Sequence, residues 1–102
     1  MPYVWHIAFM IVSYKNRDTR DFALTGKTKR GWQAVGDVAL RKIDQLMTAK
    51  SLSDLAAPPN NRLEPLKGGR AGQHSIRINA QWRICFVWTA AGPVDVEITD
   101  YH

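Results

Sequence analysis

The sequence predicts an α+β fold: two N-terminal helices packed on one face of a mainly antiparallel sheet. Three observations lead there. The second half of the chain holds successive runs of β-type residues joined by short turns, as a meander of antiparallel strands requires. The stretch from Trp32 to Ala49 carries apolar residues at spacings of three and four, one stripe of an amphipathic helix. Within that second half no connection is long enough to hold the crossover that a parallel sheet needs.

In chain order, Ile11-Val12-Ser13-Tyr14 is the first strand candidate. Met10 is a candidate initiator, which would make residues 1–9 a loose extension. Residues 16–24 read as a short helix, with Asn16 as its cap, Asp18 in its first turn and Gly26 to end it. Lys27-Thr28-Lys29-Arg30 reads as a basic, solvated connector. In the second helix Trp32, Val35, Ala39, Ile43, Leu46 and Met47 form the stripe. Asp37, Arg41, Lys42, Asp44 and Gln45 fall off it. Ser51 to Leu55 is a further helical turn, and Pro58-Pro59-Asn60-Asn61 breaks the chain.

Arg62 to Leu66 is a short strand that Pro65 confines to an edge. Lys67-Gly68-Gly69-Arg70-Ala71-Gly72 is a basic glycine loop without the Gly-Lys-Ser/Thr ending of a phosphate loop, so nucleotide binding is rejected. From Gln73 to Asn79 alternation puts His74, Ile76 and Ile78 on one face and Ser75, Arg77 and Asn79 on the other. After a turn near Ala80-Gln81, Ile84, Phe86 and Trp88 face the core, while Arg83, Cys85 and Val87 face away. Ala91-Gly92-Pro93 is the next turn. Val94, Val96 and Ile98 then face inward, with Asp95, Glu97, Thr99 and Tyr101 opposite. His74 is accordingly read as structural.

At 102 residues the chain fits one domain, and 45% hydrophobic residues suffice for one core. A net charge of +5 favours a polyanionic partner. One cysteine excludes an internal disulfide or cysteine-based zinc site. Three scattered histidines suggest no metal site. No apolar run approaches membrane-spanning length, and the apolar start lacks a basic region and a cleavage site; the expectation is a cytoplasmic protein without a membrane partner. Arg77, Arg83, Glu97 and Tyr101 share the sheet face that the helices leave open, and Lys67 and Arg70 reach its rim. Such a face suits phosphates and a stacked base, although a cross-strand Arg–Glu97 pair on an ordinary solvated face fits the pattern too.

The ordered motifs Arg62-Leu-Glu-Pro-Leu-Lys67-Gly, Gly72-Gln-His-Ser-Ile-Arg-Ile-Asn79, Gln81-Trp-Arg-Ile-Cys-Phe86 and terminal Asp100-Tyr101-His102 resemble the HigB-type toxins of the RelE/ParE superfamily. The resemblance runs from about Ile11 to the end. It implies a curved, RelE-like sheet and an endoribonuclease, independent of metal or other cofactor, that cuts mRNA in the A site of the small ribosomal subunit. It implies inhibition by a HigA-like helix-turn-helix antitoxin, with operator DNA bound only through the toxin–antitoxin complex. By position it assigns catalysis to Lys67, Arg83, Asp100, Tyr101 and His102. Arg70, Arg77, Asn79 and Glu64 are then candidate RNA contacts. At Glu64 some members of the family carry histidine, and a carboxylate cannot act there as an imidazolium would. The other readings are a ribosome- or RNA-binding growth inhibitor without cleavage, a gyrase-directed relative, and a decayed toxin retained as an antitoxin's partner.

Overall fold

A computed structural model describes residues 11–100; the proposed extension, Tyr101 and His102 lie outside the described residues. Helix α1 spans Arg17–Thr25 and α2 spans Gly36–Thr48. The four strands that follow are β1 (Glu64–Pro65), β2 (His74–Arg77), β3 (Arg83–Thr89) and β4 (Gly92–Thr99). They form one antiparallel sheet in the order β1-β2-β3-β4.

α1 begins and ends as its sequence requires. The Asn16 side chain accepts from the Thr19 N–H at 2.9 Å, satisfying one of the donors orphaned at a helix start. Gly26 takes φ 76°, and its N–H bonds the Phe22 carbonyl, the left-handed ending that glycine permits. The second helix is shorter than predicted. Residues Gly31–Val35 form a 3₁₀ turn, and regular α-helix starts only at Gly36. Gln33 explains part of the break. Its side chain turns back to accept from Thr28 N–H at 2.7 Å and so ties this turn to the basic connector. The predicted turn at Leu52–Leu55 is 3₁₀, and the Asp54 carboxylate accepts from the N–H groups of Lys50 and Ser51.

The core gathers Phe22 from α1, Trp32, Ala39, Ile43 and Leu46 from the second helical region, and Ile76, Ile84, Phe86, Val96 and Ile98 from the sheet. His74 stacks on Phe86 with 6.3 Å between ring centres, so its structural reading stands. Phe22, Trp32 and Trp82 form successive edge-to-face contacts with centroids 5.9 and 5.5 Å apart. A Cβ added at Gly31 would meet the Trp82 ring at 2.9 Å, so the indole lies directly on the backbone there.

Four expectations are corrected. Lys42 is buried rather than solvated: its ammonium donates to Asn61 Oδ1, and Asn61 itself is fully enclosed. The strand predicted at 11–14 is reduced to an isolated bridge between Tyr14 and Val96. It runs parallel to β4, through Val12 N–H to the Pro93 carbonyl (2.8 Å), Val96 N–H to the Ser13 carbonyl (3.0 Å) and Lys15 N–H to the Val96 carbonyl (3.0 Å). Gly92 and Pro93 are not turn but strand, paired with Thr89 and Trp88. The inward set of β4 is therefore Pro93, Val96 and Ile98, not Val94, Val96 and Ile98. The cause is a bulge. Glu97 pairs with Cys85 and Val94 with Val87, so β4 has one residue more than β3 between those pairs, and Asp95 takes φ 54°.

Candidate functional site

The register assembles the predicted open face in rows. Glu64, Ser75, Cys85 and Glu97 are successive cross-strand partners, and Arg77, Arg83 and Thr99 form the next row. Arg77 stands directly opposite Arg83, both half-buried. Like charges facing one another across a ladder cost stability, so this pair is not a device for holding the sheet together.

The Lys67–Gly72 loop lies beside these rows. Lys67 precedes a 3₁₀ turn, Gly68–Arg70, which Gly68 enters at φ 62°. Arg70 reaches over the sheet from this turn; its guanidinium donates to Gln73 Oε1 (3.1 Å) and to Glu97 Oε1 (3.2 Å). The cross-strand Arg–Glu97 pair expected on this face is replaced by one from outside the ladder: Cys85 stands opposite Glu97, and its arginine is Arg70 from the loop. Between β1 and β4 the arginine must pass over Ser75 and Cys85, and both are only 1% exposed. The aliphatic stem of such a side chain covers apolar surface while its head stays polar. That explains why Cys85 is buried although alternation points it away from the core. Burial pushes its thiol up to about 11, so it is neither thiolate nor nucleophile at neutral pH.

Lys15 also meets Glu97, at 3.7 Å, and sequence reading missed it. Its place depends on the parallel segment beside β4, which no periodicity announces. Among the described residues Lys15, Arg70, Arg77 and Arg83 thus lie on or over the face, with Lys67 in the loop beside it, against the carboxylates Glu64 and Glu97.

The remaining predicted residues divide. Asn79 is a turn residue: its Oδ1 accepts from Gln81 N–H (2.9 Å) and Trp82 N–H (2.7 Å). Arg83 leans on the same turn, donating to the Asn79 carbonyl at 2.5 Å. Glu64 is exposed on the edge strand. Asp100, which alternation points coreward, is exposed just past β4; its Oδ2 accepts from Gln81 Nε2 at 3.0 Å. The β2–β3 turn therefore holds both Arg83 and the start of the C-terminal triplet. Tyr101 and His102 lie outside the described residues.

A separate cleft of about 240 Å³ opens at the outer edge of β4, lined by Asn16, Asp18, Arg30, Trp32, Trp82, Glu97, Ile98, Thr99 and Asp100. Among the described residues no cluster of histidine, cysteine or carboxylate side chains could hold a metal ion, and no helix is long and apolar enough to cross a membrane.

Residues 12–102 match the model of the HigB-like toxins, described as RelE-like toxins of the type II toxin–antitoxin system HigB. The chain belongs to this family. Toxin HigB-1 of Vibrio cholerae is 42% identical over 55 residues, which cover 54% of this chain and 58% of that protein. An uncharacterized protein of Haemophilus influenzae is 37% identical over 49 residues, 48% of each chain. The chain thus spans about half the length of the curated relatives it matches. Among solved structures, a chain of the YoeB–YefM complex from Staphylococcus aureus superposes with a TM-score of 0.52 at 18% identity, over 90% of this chain and 97% of that one. At that identity the likeness concerns the fold: a RelE-like arrangement of two helices and a four-stranded antiparallel sheet.

Proposed function

We propose that this HigB-like toxin is a ribosome-dependent endoribonuclease that cuts mRNA in the A site and is held inactive by a HigA-like antitoxin. The observation that carries this reading is the Arg77–Arg83 pair. Two half-buried arginines face one another at the turn end of the β2–β3 ladder, on the cationic face of the sheet, and a phosphate between them would turn a destabilising contact into a favourable one.

Cleavage through the 2′-hydroxyl needs no outside reactant. The 2′-oxygen loses a proton and attacks phosphorus, the bond to the 5′-oxygen breaks, and that oxygen takes a proton, leaving a 2′,3′-cyclic phosphate. Arg83 and Lys67 stabilise the charge on the pentacovalent phosphate, where the planar fork of arginine meets two oxygens. His102 moves the proton, since imidazole titrates near pH ~6.5. Tyr101 stacks on a base or bonds near the phosphate, and Asp100 positions its neighbours. Arg70, Arg77, Asn79 and Glu64 border the RNA path; Asn79 acts by shaping the turn that carries Arg83.

The test is growth arrest on expression, with messenger ends mapped by primer extension on translating ribosomes. Cleavage within codons, lost about 10²–10⁴-fold in Arg83→Ala, supports the reading. Arrest without cleavage refutes it in favour of gyrase or ribosome binding, and unchanged cutting by Arg83→Ala removes the assignment of that residue.

A further inference from the structure

The cleft at the edge of β4 has a composition unlike the rest of the surface. Its ionisable lining is one arginine and three carboxylates, in a chain of net charge +5. Two of those carboxylates have partners elsewhere: Glu97 meets Arg70 and Lys15, and Asp100 accepts from Gln81. Asp18 differs. Arg30 Nε and Nη2 both converge on its Oδ2, at 2.6 and 2.5 Å. Oδ1 has no hydrogen-bond partner among the described residues, so the ion pair fixes the carboxylate and leaves one oxygen to accept.

The apolar wall is indole. Trp82 is half-buried, wedged between Gly31 and Trp32. Trp32, 3% exposed, also lines the cleft and has an Nε1–H without an acceptor among the described residues.

Cations flank the cleft on both sides. On one side Thr99, a lining residue, is the direct partner of Arg83. On the other the exposed Lys27 and Lys29 lead to Arg30 at the rim. A phosphate would be repelled by the carboxylates within and attracted by the cations outside. Single-stranded RNA has that alternation: phosphates track basic side chains, while an unstacked base is taken up beside an aromatic and read along its edge.

We infer that this cleft takes one unstacked RNA base bearing an exocyclic amino group, guanine first, with Asp18 as its reading residue and Trp82 as its wall. Guanine offers N1–H and N2–H side by side, and both can converge on Asp18 Oδ1, whereas uracil has no amino group. The cleft deepens the proposed ribonuclease reading and rests on it. It lies one strand from Arg83, and so supplies a preference for a base beside the cut phosphate.

The test uses the full chain and four 2′-O-methyl trinucleotides, which resist cleavage, with A, C, G or U between two uridines. Binding is followed through the indole Nε1–H signals of Trp32 and Trp82. The guanine-centred molecule should bind about tenfold tighter than the uridine-centred one, within the range for a good two-bond contact. Asp18→Asn should bring the ratio to about one. Arg30→Gln, which loses the same ion pair but keeps the carboxylate, should retain the preference. Equal affinities in the unaltered chain, or a preference surviving in Asp18→Asn, overturns the inference. So does a basic peptide that moves these signals more tightly than any trinucleotide, since the cleft would then be a protein site. If trinucleotides bind without preference while messenger is still cut on ribosomes, only this inference falls. If no trinucleotide binds and no messenger is cut, the ribonuclease reading falls with it.

Discussion

Replacing Asn61 by alanine should cost this protein about 4 kcal/mol. The side chain is fully enclosed. Its Oδ1 accepts from the Lys42 ammonium, and its Nδ2 donates to Gln45 Oε1 and to the Leu55 carbonyl, each at 2.9 Å. Neutral hydrogen bonds contribute about 1 kcal/mol each and one to a charged group about 1.5–3 kcal/mol. Truncation also leaves a buried ammonium without its acceptor. Burial lowers the Lys42 pKa from that of a free lysine, with Arg41 adding to the effect. Urea denaturation should show a lower midpoint with an unchanged slope. The double variant Lys42→Met/Asn61→Ala should lose less than the two single variants added together, because the stranded charge is gone. The proposed RNA cleavage should persist well below the melting temperature, since Arg77 N–H is held by the Asn61 backbone carbonyl (2.6 Å) rather than by its side chain. A loss below about 1 kcal/mol, or strict additivity in the double variant, would refute the account of Lys42 as a buried, single-acceptor cation.

Three further outcomes are expected. Cys85 should resist a thiol reagent in the native protein and react at once in denaturant; its thiol is raised from 9.0 to about 11, so folding favours the neutral form. That contribution is complete below pH 9 and fades as pH rises through the folded value. Melting temperature should therefore fall less steeply over this range in Cys85→Ala, with the raised Tyr14 common to both chains. In Thr19→Val, the Ile98 N–H loses the buried hydroxyl that accepts it at 3.1 Å. The cost should be about 2 kcal/mol, a drop of about 10 °C by calorimetry.

What could be read in the sequence was whatever depends on neighbours along the chain. Asn16 and Gly26 set the ends of α1 by local hydrogen bonding. Alternation placed Ile76, Ile84, Phe86 and Ile98 inside, and Pro65 made β1 an edge. What escaped depends on residues far apart. Cys85 is enclosed because Arg70 crosses two strands to Glu97. Lys42 is buried because a loop some twenty residues on offers it Asn61. Pro93 replaces Val94 in the core because of one extra residue at Asp95, which no single-strand alternation can foresee. The candidate site followed the same division. The Arg77–Arg83 pairing follows from one tight turn, while Lys15 joins the face only through the parallel segment beside β4.

That segment has a further consequence. A sheet normally offers its outermost strands to any extended chain, and the offer invites polymerisation. Here residues 12–15 close much of the outer side of β4, and Thr19 of α1 occupies the Ile98 N–H. The opposite border is only two residues long and contains a proline, which has no N–H to give. Among the described residues both margins are thus blunted, so an extended chain gains little by adding a strand to this ladder. Recognition of this sheet then falls to side chains, and is open to change by substitution, one residue at a time.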